Sequence, residues 1–249
     1  LLGAANEASA ADGTITFGAI ALTPVSTDKP LFTMTMADLD SANDFSVTVS
    51  DLNVDGSALE GSVLLVGSPS SHAVTASVVT RDGSTISDVD VVMSDGTNSS
   101  SFKSAADGSV SGSLTSGSES TVTGSLAYSN STKAVSSQDA LDALKLSVGM
   151  TTAAGTKNAF DFISADFNQD GKVSSQDALA ILKYSVGLPT TEQAKWVFVD
   201  TSGDYTGVSK SNTSYTEGVS IAELSADTTV SLTGILIGDV NDSYSGLIA

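Results

Sequence analysis

A stretch running Val-Ser-Ser-Gln-Asp-Ala-Leu-Asp-Ala-Leu-Lys-Leu-Ser-Val-Gly from Val135 to Gly149 returns 38 positions later, from Val173 to Gly187, with most positions identical. A repeat this close requires both copies to fold alike. Each copy has the pattern of a short amphipathic helix, with Ala140, Leu144 and Val148 recurring at every fourth residue, as do Ala178, Leu182 and Val186. Ser136/Ser137 and Ser174/Ser175 stand where N-terminal caps belong, and Gly149 and Gly187 where C-terminal caps belong. Pro189 stops the second helix. Two such helices bury little area alone, so they are expected to pack on each other and on a β neighbour.

The second copy closes a polar loop, Asp166-Phe167-Asn168-Gln169-Asp170-Gly171-Lys172-Val173-Ser174-Ser175-Gln176-Asp177. Calcium takes six to eight oxygen ligands, and a twelve-residue EF-hand-type loop supplies them from positions 1, 3, 5, 7, 9 and 12. Those positions are Asp166, Asn168, Asp170, Lys172 through its backbone carbonyl, Ser174 and Asp177. Gly171 stands at position 6, where the backbone must turn sharply. Calcium is therefore the expected ligand. The closing residue is Asp rather than the usual Glu, and residues 160–165 do not read as an incoming helix.

The first copy lacks such a loop. Asp139 takes position 12, but positions 1, 3, 5 and 6 fall on Tyr128, Asn130, Thr132 and Lys133, so this loop is expected to hold no calcium. Two weaker sets, Asp200, Ser202 and Asp204, and Asp239, Asn241 and Ser243, read equally as metal loops or polar turns. Asp51-Leu52-Asn53-Val54-Asp55-Gly56 opens with suitable spacing but reads as a β-turn.

The rest of the chain is β-patterned. Residues 1–12 read as a flexible lead-in, and residues 13–67 as a β-rich unit with strands near 14–22, 31–36, 45–49 and 62–66. Short strands with Asp-Gly turns follow at His72–Thr80, Ser87–Met93, Val110–Leu114 and Thr121–Tyr128, a spacing that suggests a β-sandwich. Strand character resumes at Trp196–Val199, Val219–Ala222 and Thr228–Ile237. The expected divisions are an N-terminal β-rich unit at 1–67, a β-sandwich at 68–127, a helical pair at 128–190 and a C-terminal β segment at 191–249.

Charge and composition narrow the function classes. The 249 residues carry a formal net charge of −19, which opposes binding to nucleic acid and to anionic membranes. No apolar stretch is long enough to span a bilayer. The chain has no cysteine and one histidine, His72, which reads as exposed and lies in no nucleophile motif, so no enzyme activity is expected. The chain begins Leu-Leu-Gly, which reads as a processed product or fragment.

The run Asp-x-Asn-x-Asp-Gly-x-Val-Ser-x-x-Asp-Ala-Leu-x-x-Leu-Lys at 166–183, with its degenerate copy ending at Gly149, resembles type I dockerin repeats. Val79-Thr80-Arg81-Asp82-Gly83-Ser84 and Gly238-Asp239-Val240-Asn241 more loosely resemble the C-terminal region of large secreted bacterial calcium-binding or adhesin-like proteins, with a carboxypeptidase-regulatory-like sandwich. The resemblance implies a mainly β fold of Ig-like β-sandwich domains carrying a small α-helical, dockerin-like calcium-binding insert. It implies cohesin-type partner contacts at Ser175 and Gln176, and at Ser137 and Gln138, in two orientations. The insert lies between β segments, however, with no linker. The leading expectation is therefore a secreted, cell-surface structural or adhesion protein. Calcium would rigidify its domain junctions, and it would associate with itself, as a filament or surface layer, or with another surface protein. The segment Gly13–Leu22 would serve as an ordinary strand or add to a neighbouring subunit.

Overall fold

The computed structural model describes residues 71–244 apart from 118, 130–132, 154 and 156, together with four short backbone strands before residue 71. The chain divides into two compact units, Leu1–Ser46 and Val47–Ala249. In the first unit β1 (Leu2–Asn6) pairs antiparallel with β2 (Thr16–Ile20). The expected flexible lead-in thus contains a strand, and the 14–22 strand finds its partner within its own chain. In the second unit β3 (Asn53–Val54) and β4 (Ser57–Ala58) form a small antiparallel pair. The expected strands at 31–36, 45–49 and 62–66 lie outside the described residues.

Described residues from 71 onward are mainly β, with three short helices. The strands are β5 (Ser71–Val79), β6 (Asp90–Ser94), β7 (Ser99–Lys103), β8 (Ser109–Thr115), β9 (Ser120–Ser125), β10 (Trp196–Asp200), β11 (Val219–Ile221) and β12 (Thr228–Leu236). Between β9 and β10 come α1 (Ser137–Ser147), α2 (Ala159–Ala165) and α3 (Ser175–Ser185).

Two four-stranded sheets result, one ordered β10-β12-β5-β8 and the other β11-β9-β6-β7. All pairings are antiparallel except β12 with β5, where Thr228 lies beside Val74 and Thr233 beside Val79. The residues after 191 therefore do not stand apart: β10 and β12 complete one sheet and β11 completes the other. The helical segment is an insertion between strands of the same two sheets.

Alternation explains how each strand is buried. In β5, Val74, Ala76 and Val78 point inward, and in β6 Val91 and Met93 do so. Strand β7, Ser-Ser-Ser-Phe-Lys, presents only Phe102 to the core and shows little apolar alternation. Strand β10 is buried over Trp196–Val199, and β12 from Leu232 to Leu236. A continuous apolar run of this kind marks a strand covered on both faces. One cover is α2, whose Ser164 Oγ donates to Leu236 O at 2.9 Å and whose Ser164 O accepts from Gly238 N at 2.8 Å.

Glycines permit the sheets to approach. A Cβ on Gly124 would lie 2.8 Å from Phe198 Cγ, and one on Gly112 would lie 2.7 Å from Met93 Sδ. At Gly234 a Cβ would meet Ile86 Cδ1 at 2.8 Å and Phe198 Cε1 at 3.0 Å. Overfilling a packed core of this sort costs about 1–3 kcal/mol. Gly234→Ala should lower unfolding stability by that amount, measured by urea titration; an unchanged midpoint would show that Ile86 and Phe198 move aside freely.

Candidate functional site

The helical repeat folds as two matched units. Ser136 caps α1 and Ser174 caps α3, each within a capping box completed by Asp139 or Asp177. Both helices end in the same way. Gly149 (φ +84°) and Gly187 (φ +73°) follow the C-caps in left-handed conformations. Met150 N donates to Lys145 O at 2.8 Å, and Leu188 N donates to Lys183 O at 2.9 Å. These are Schellman closures, which a residue with a Cβ would strain.

The buried face of each helix differs from the stripe expected from the spacing of four. In α1 the core residues are Ala140, Ala143 and Leu146, and in α3 they are Ala178 and Ile181. Leu144, Val148, Leu182 and Val186 are exposed instead. The buried set thus combines short alanines with one long side chain from each helix, Leu146 and Ile181.

The loop at 166–177 joins α2 to α3. An incoming helix is present after all, because Asn158 caps α2 in a capping box with Asp161. Sequence patterning missed it because the helix has only seven residues, Ala-Phe-Asp-Phe-Ile-Ser-Ala, and no clear periodic stripe.

Within the loop, Asp166 is the hub. Its Oδ1 accepts from Asp170 N at 3.1 Å, and its Oδ2 accepts from Gly171 N at 3.0 Å and from the Thr213 hydroxyl. Asn168 Oδ1 accepts from Asp170 N at 3.0 Å, and Asp170 Oδ1 accepts from Lys172 N at 3.2 Å. Asp177 Oδ1 accepts from Asn168 N at 3.1 Å, while its Oδ2 accepts from Ser174 N at 2.9 Å and Ser174 Oγ at 3.0 Å. The chain reverses through Gln169 (φ +56°) and Gly171 (φ +90°). Asp166 and Asp177 are buried. Burial pushes the Asp166 carboxyl above its ordinary value, and the Asp177 charge adds to the rise, against hydrogen bonds from Thr213 and Gly171.

A brace from the insertion before β11 holds this loop. Val173 N donates to Lys210 O at 2.8 Å, Thr213 N donates to Gly171 O at 3.0 Å, and Gln169 Nε2 donates to Tyr215 OH at 2.9 Å. Thr213 and Tyr215 escaped sequence reading because nothing local to them resembles a ligand pattern.

The structure thus gathers Asp166, Asn168, Asp170, Ser174 and Asp177 around one turn, with Lys172 contributing backbone. Among the described residues, no three His, Cys, Asp or Glu side chains converge as a ready metal-binding group. The loop carboxylates accept from backbone N–H groups and from the Thr213 and Ser174 hydroxyls, and Asp170 Oδ2 lies 3.6 Å from Lys172 Nζ.

The weaker sets separate. Asp200 Oδ1 accepts from Ser202 N and Oγ at 2.8 and 2.7 Å, and Asp204 Oδ1 accepts from Thr206 N at 3.0 Å. These are self-contained polar turns. Asp239 is buried, and its carboxylate accepts from Ser243 N and Tyr244 N, both at 2.9 Å. Burial, reinforced by the Asp139 charge, pushes the Asp239 carboxyl up to about 6. Ser137, Gln138, Ser175 and Gln176 are exposed at the first turns of α1 and α3. His72 is not exposed as expected: its side chain is 19% accessible, and its Nδ1 lies 3.7 Å from Asp227.

Arg81 ties these parts together, and the sequence singled it out only within a longer motif. Its side chain is 6% exposed. Nε lies 3.1 Å from Asp242 Oδ1 and Nη1 lies 3.4 Å from Asp161 Oδ1. Nη2 donates to Asp239 O at 3.2 Å and to Val240 O at 3.1 Å. Removing one partner of a buried ion pair costs about 3–5 kcal/mol. Arg81→Met should lower unfolding stability on that scale in urea titrations, well beyond the effect of removing exposed Lys103 from its pair with Asp90.

Comparison with family models, with curated proteins and with solved structures found no match.

Proposed function

We propose that this chain is an extracellular calcium-binding structural or adhesion protein of a bacterial cell surface. In this reading the two sheets form an Ig-like β-sandwich and the helices a dockerin-like insert. Calcium at 166–177 locks that insert to the sandwich, and copies of the chain assemble through the insert.

The observation that carries the reading is a duplicated apolar surface. Leu141, Leu144, Val148 and Met150 are exposed, and so are Leu179, Leu182, Val186 and Leu188, each 38 positions on. Their exposures run from 41% for Leu182 to 65% for Val148. Eight large exposed apolar side chains, on two matched helices and the turns that close them, mark an interaction surface. A groove between the helices is lined by matched residues, Ala140 and Leu141 from one copy and Ala178 and Leu179 from the other. A surface repeated this way presents nearly the same contacts in two orientations.

The donor set at 166–177 fits calcium. Its oxygens come from carboxylates, an amide, a hydroxyl and a backbone carbonyl, all hard ligands. Asp166 and Asp177 are buried near each other without a basic side chain hydrogen-bonded to either, so a divalent cation would relieve their repulsion. The ion would supply fixed positive charge, while Thr213 and the Lys210 backbone hold the loop in shape.

One alternative has its own support. Ser137 and Gln138, with Ser175 and Gln176, flank the same apolar surface and are exposed. A cohesin-like partner would use them together with the leucines.

Calcium added to chelator-treated protein should raise the melting temperature, with about 2.7 kcal/mol gained at a hundredfold excess over Kd. Asp170→Ala should abolish most of that gain. Electron microscopy with calcium should show assemblies that Leu141→Asp combined with Leu179→Asp disperses, whereas either change alone weakens them. A strictly monomeric chain at high concentration with calcium would rule out self-assembly. Pull-down of a cohesin-like protein that Ser175→Asp weakens would favour the alternative.

A further inference from the structure

The segment 239–244, at the end of β12, meets the N-terminus of α1 and reproduces the geometry of the 166–177 loop across two distant pieces of chain. In the continuous loop, Asp166 receives N–H groups from residues four and five positions on. In the split one, Asp239 receives them from Ser243 and Tyr244, again four and five positions on. Asn168 N donates to Asp177 Oδ1 at 3.1 Å, and Asn241 N donates to Asp139 Oδ1 at 3.1 Å. Ser174 N donates to Asp177 Oδ2 at 2.9 Å, and Ser136 N donates to Asp139 Oδ2 at 2.9 Å. The backbone is left-handed at Gln169 (φ +56°) and at Asp242 (φ +57°), the fourth residue of each.

The two halves also touch where a cation needs adjacent oxygens. Ser243 Oγ, the equivalent of position 5, lies 3.1 Å from the carbonyl of Ala134, the equivalent of position 7. Phe167 and Val240 occupy the second position, and Val173 and Val135 the eighth; all four are buried. Tyr244 stands where Gly171 stands in the continuous loop. The split loop does not have to turn back there, because its second half arrives on another segment.

An independent observation points to a ligand. Asn241 is half-buried as a residue, but its Oδ1 atom, at position 3, is closed off from solvent and has no hydrogen-bond partner. Its counterpart Asn168 Oδ1 accepts from Asp170 N at 3.0 Å. An orphaned buried oxygen is costly unless something unmodified by the fold itself satisfies it. The backbone N–H of Asn241 donates to Asp139 Oδ1 at 3.1 Å, and Asp139 and Asp239, the latter two residues before Asn241 in the chain, are 0% and 2% exposed. The nearest guanidinium, Arg81, is directed instead at the Asp239 and Val240 carbonyls and at the Asp161 and Asp242 carboxylates.

We propose a second calcium site, built from the side chains of Asp239, Asn241, Ser243 and Asp139 with the Ala134 carbonyl, which staples the end of the chain to the first helix. The first copy of the repeat is thereby completed from residues 239–244 rather than from 128–133. With two carboxylates where the continuous loop has three, this site binds calcium more weakly. The inference rests on the calcium reading of 166–177 for the identity of the ion.

The test is the calcium count of the chelator-treated full chain, by equilibrium dialysis and calorimetry, for wild type, Asn241→Ala and Asp170→Ala. Asn241 Oδ1 holds no bond, so Asn241→Ala should stay folded, as circular dichroism will show. The expected counts are two, one and one. A single wild-type ion that survives Asn241→Ala and is lost in Asp170→Ala overturns the split site and leaves the continuous loop standing. A single ion lost in Asn241→Ala and kept in Asp170→Ala supports the split site alone. A wild type that binds none overturns both.

Discussion

The guanidinium of Arg81 lies at the junction of three parts of the molecule. It projects from the turn after β5, meets the capping-box carboxylate of α2, and donates to carbonyls of the chain that leaves β12. A buried cation of this kind is stable only with its partners in place, because desolvation outweighs any single pairing. The turn that carries it is itself fixed, with Thr80 donating to Asp82 and Ser84 N donating to Asp82 at 3.0 Å. Arg81 thus helps to hold the helical insert on the sheets, together with the Ser164–Leu236 and Asn241–Asp139 hydrogen bonds.

Much of the β framework was legible in the sequence, since alternation at β5 and β6 and the Asp-Gly turns are local signals. Strand β7 was not, because Ser99, Ser100 and Ser101 carry no hydrophobic period and the strand exists through its pairing with β6. The role of 196–236 was not legible either. Whether a late strand joins an earlier sheet depends on pairing across the insertion, and strand β12 lies parallel to β5 more than 150 residues away. Local patterning carries no information about such a partner.

The helices show a different limit. Periodicity located them and their caps, but of each expected stripe only the first member, Ala140 or Ala178, lies in the core. Alanine and leucine both count as apolar in a spacing argument, but here Ala143 and Leu146 are buried while Leu144 and Leu182 are exposed. The polar turn 166–177 was readable because its oxygen-bearing side chains and its glycine are contiguous. Thr213 and the Lys210 carbonyl were not, because they come from a distant segment that has no metal pattern of its own.

The parallel pairing of β5 and β12 has a mechanical consequence. Tension applied at the start of β5 and at the end of β12 acts at opposite ends of two neighbouring strands. The hydrogen bonds between Val74–Val79 and Thr228–Thr233 are then loaded together in shear, rather than opened one after another as in a hairpin. Forced unfolding is governed by the rate of crossing that barrier rather than by equilibrium stability. A chain pulled from these two points resists as a unit, a property suited to a protein held between fixed anchor points.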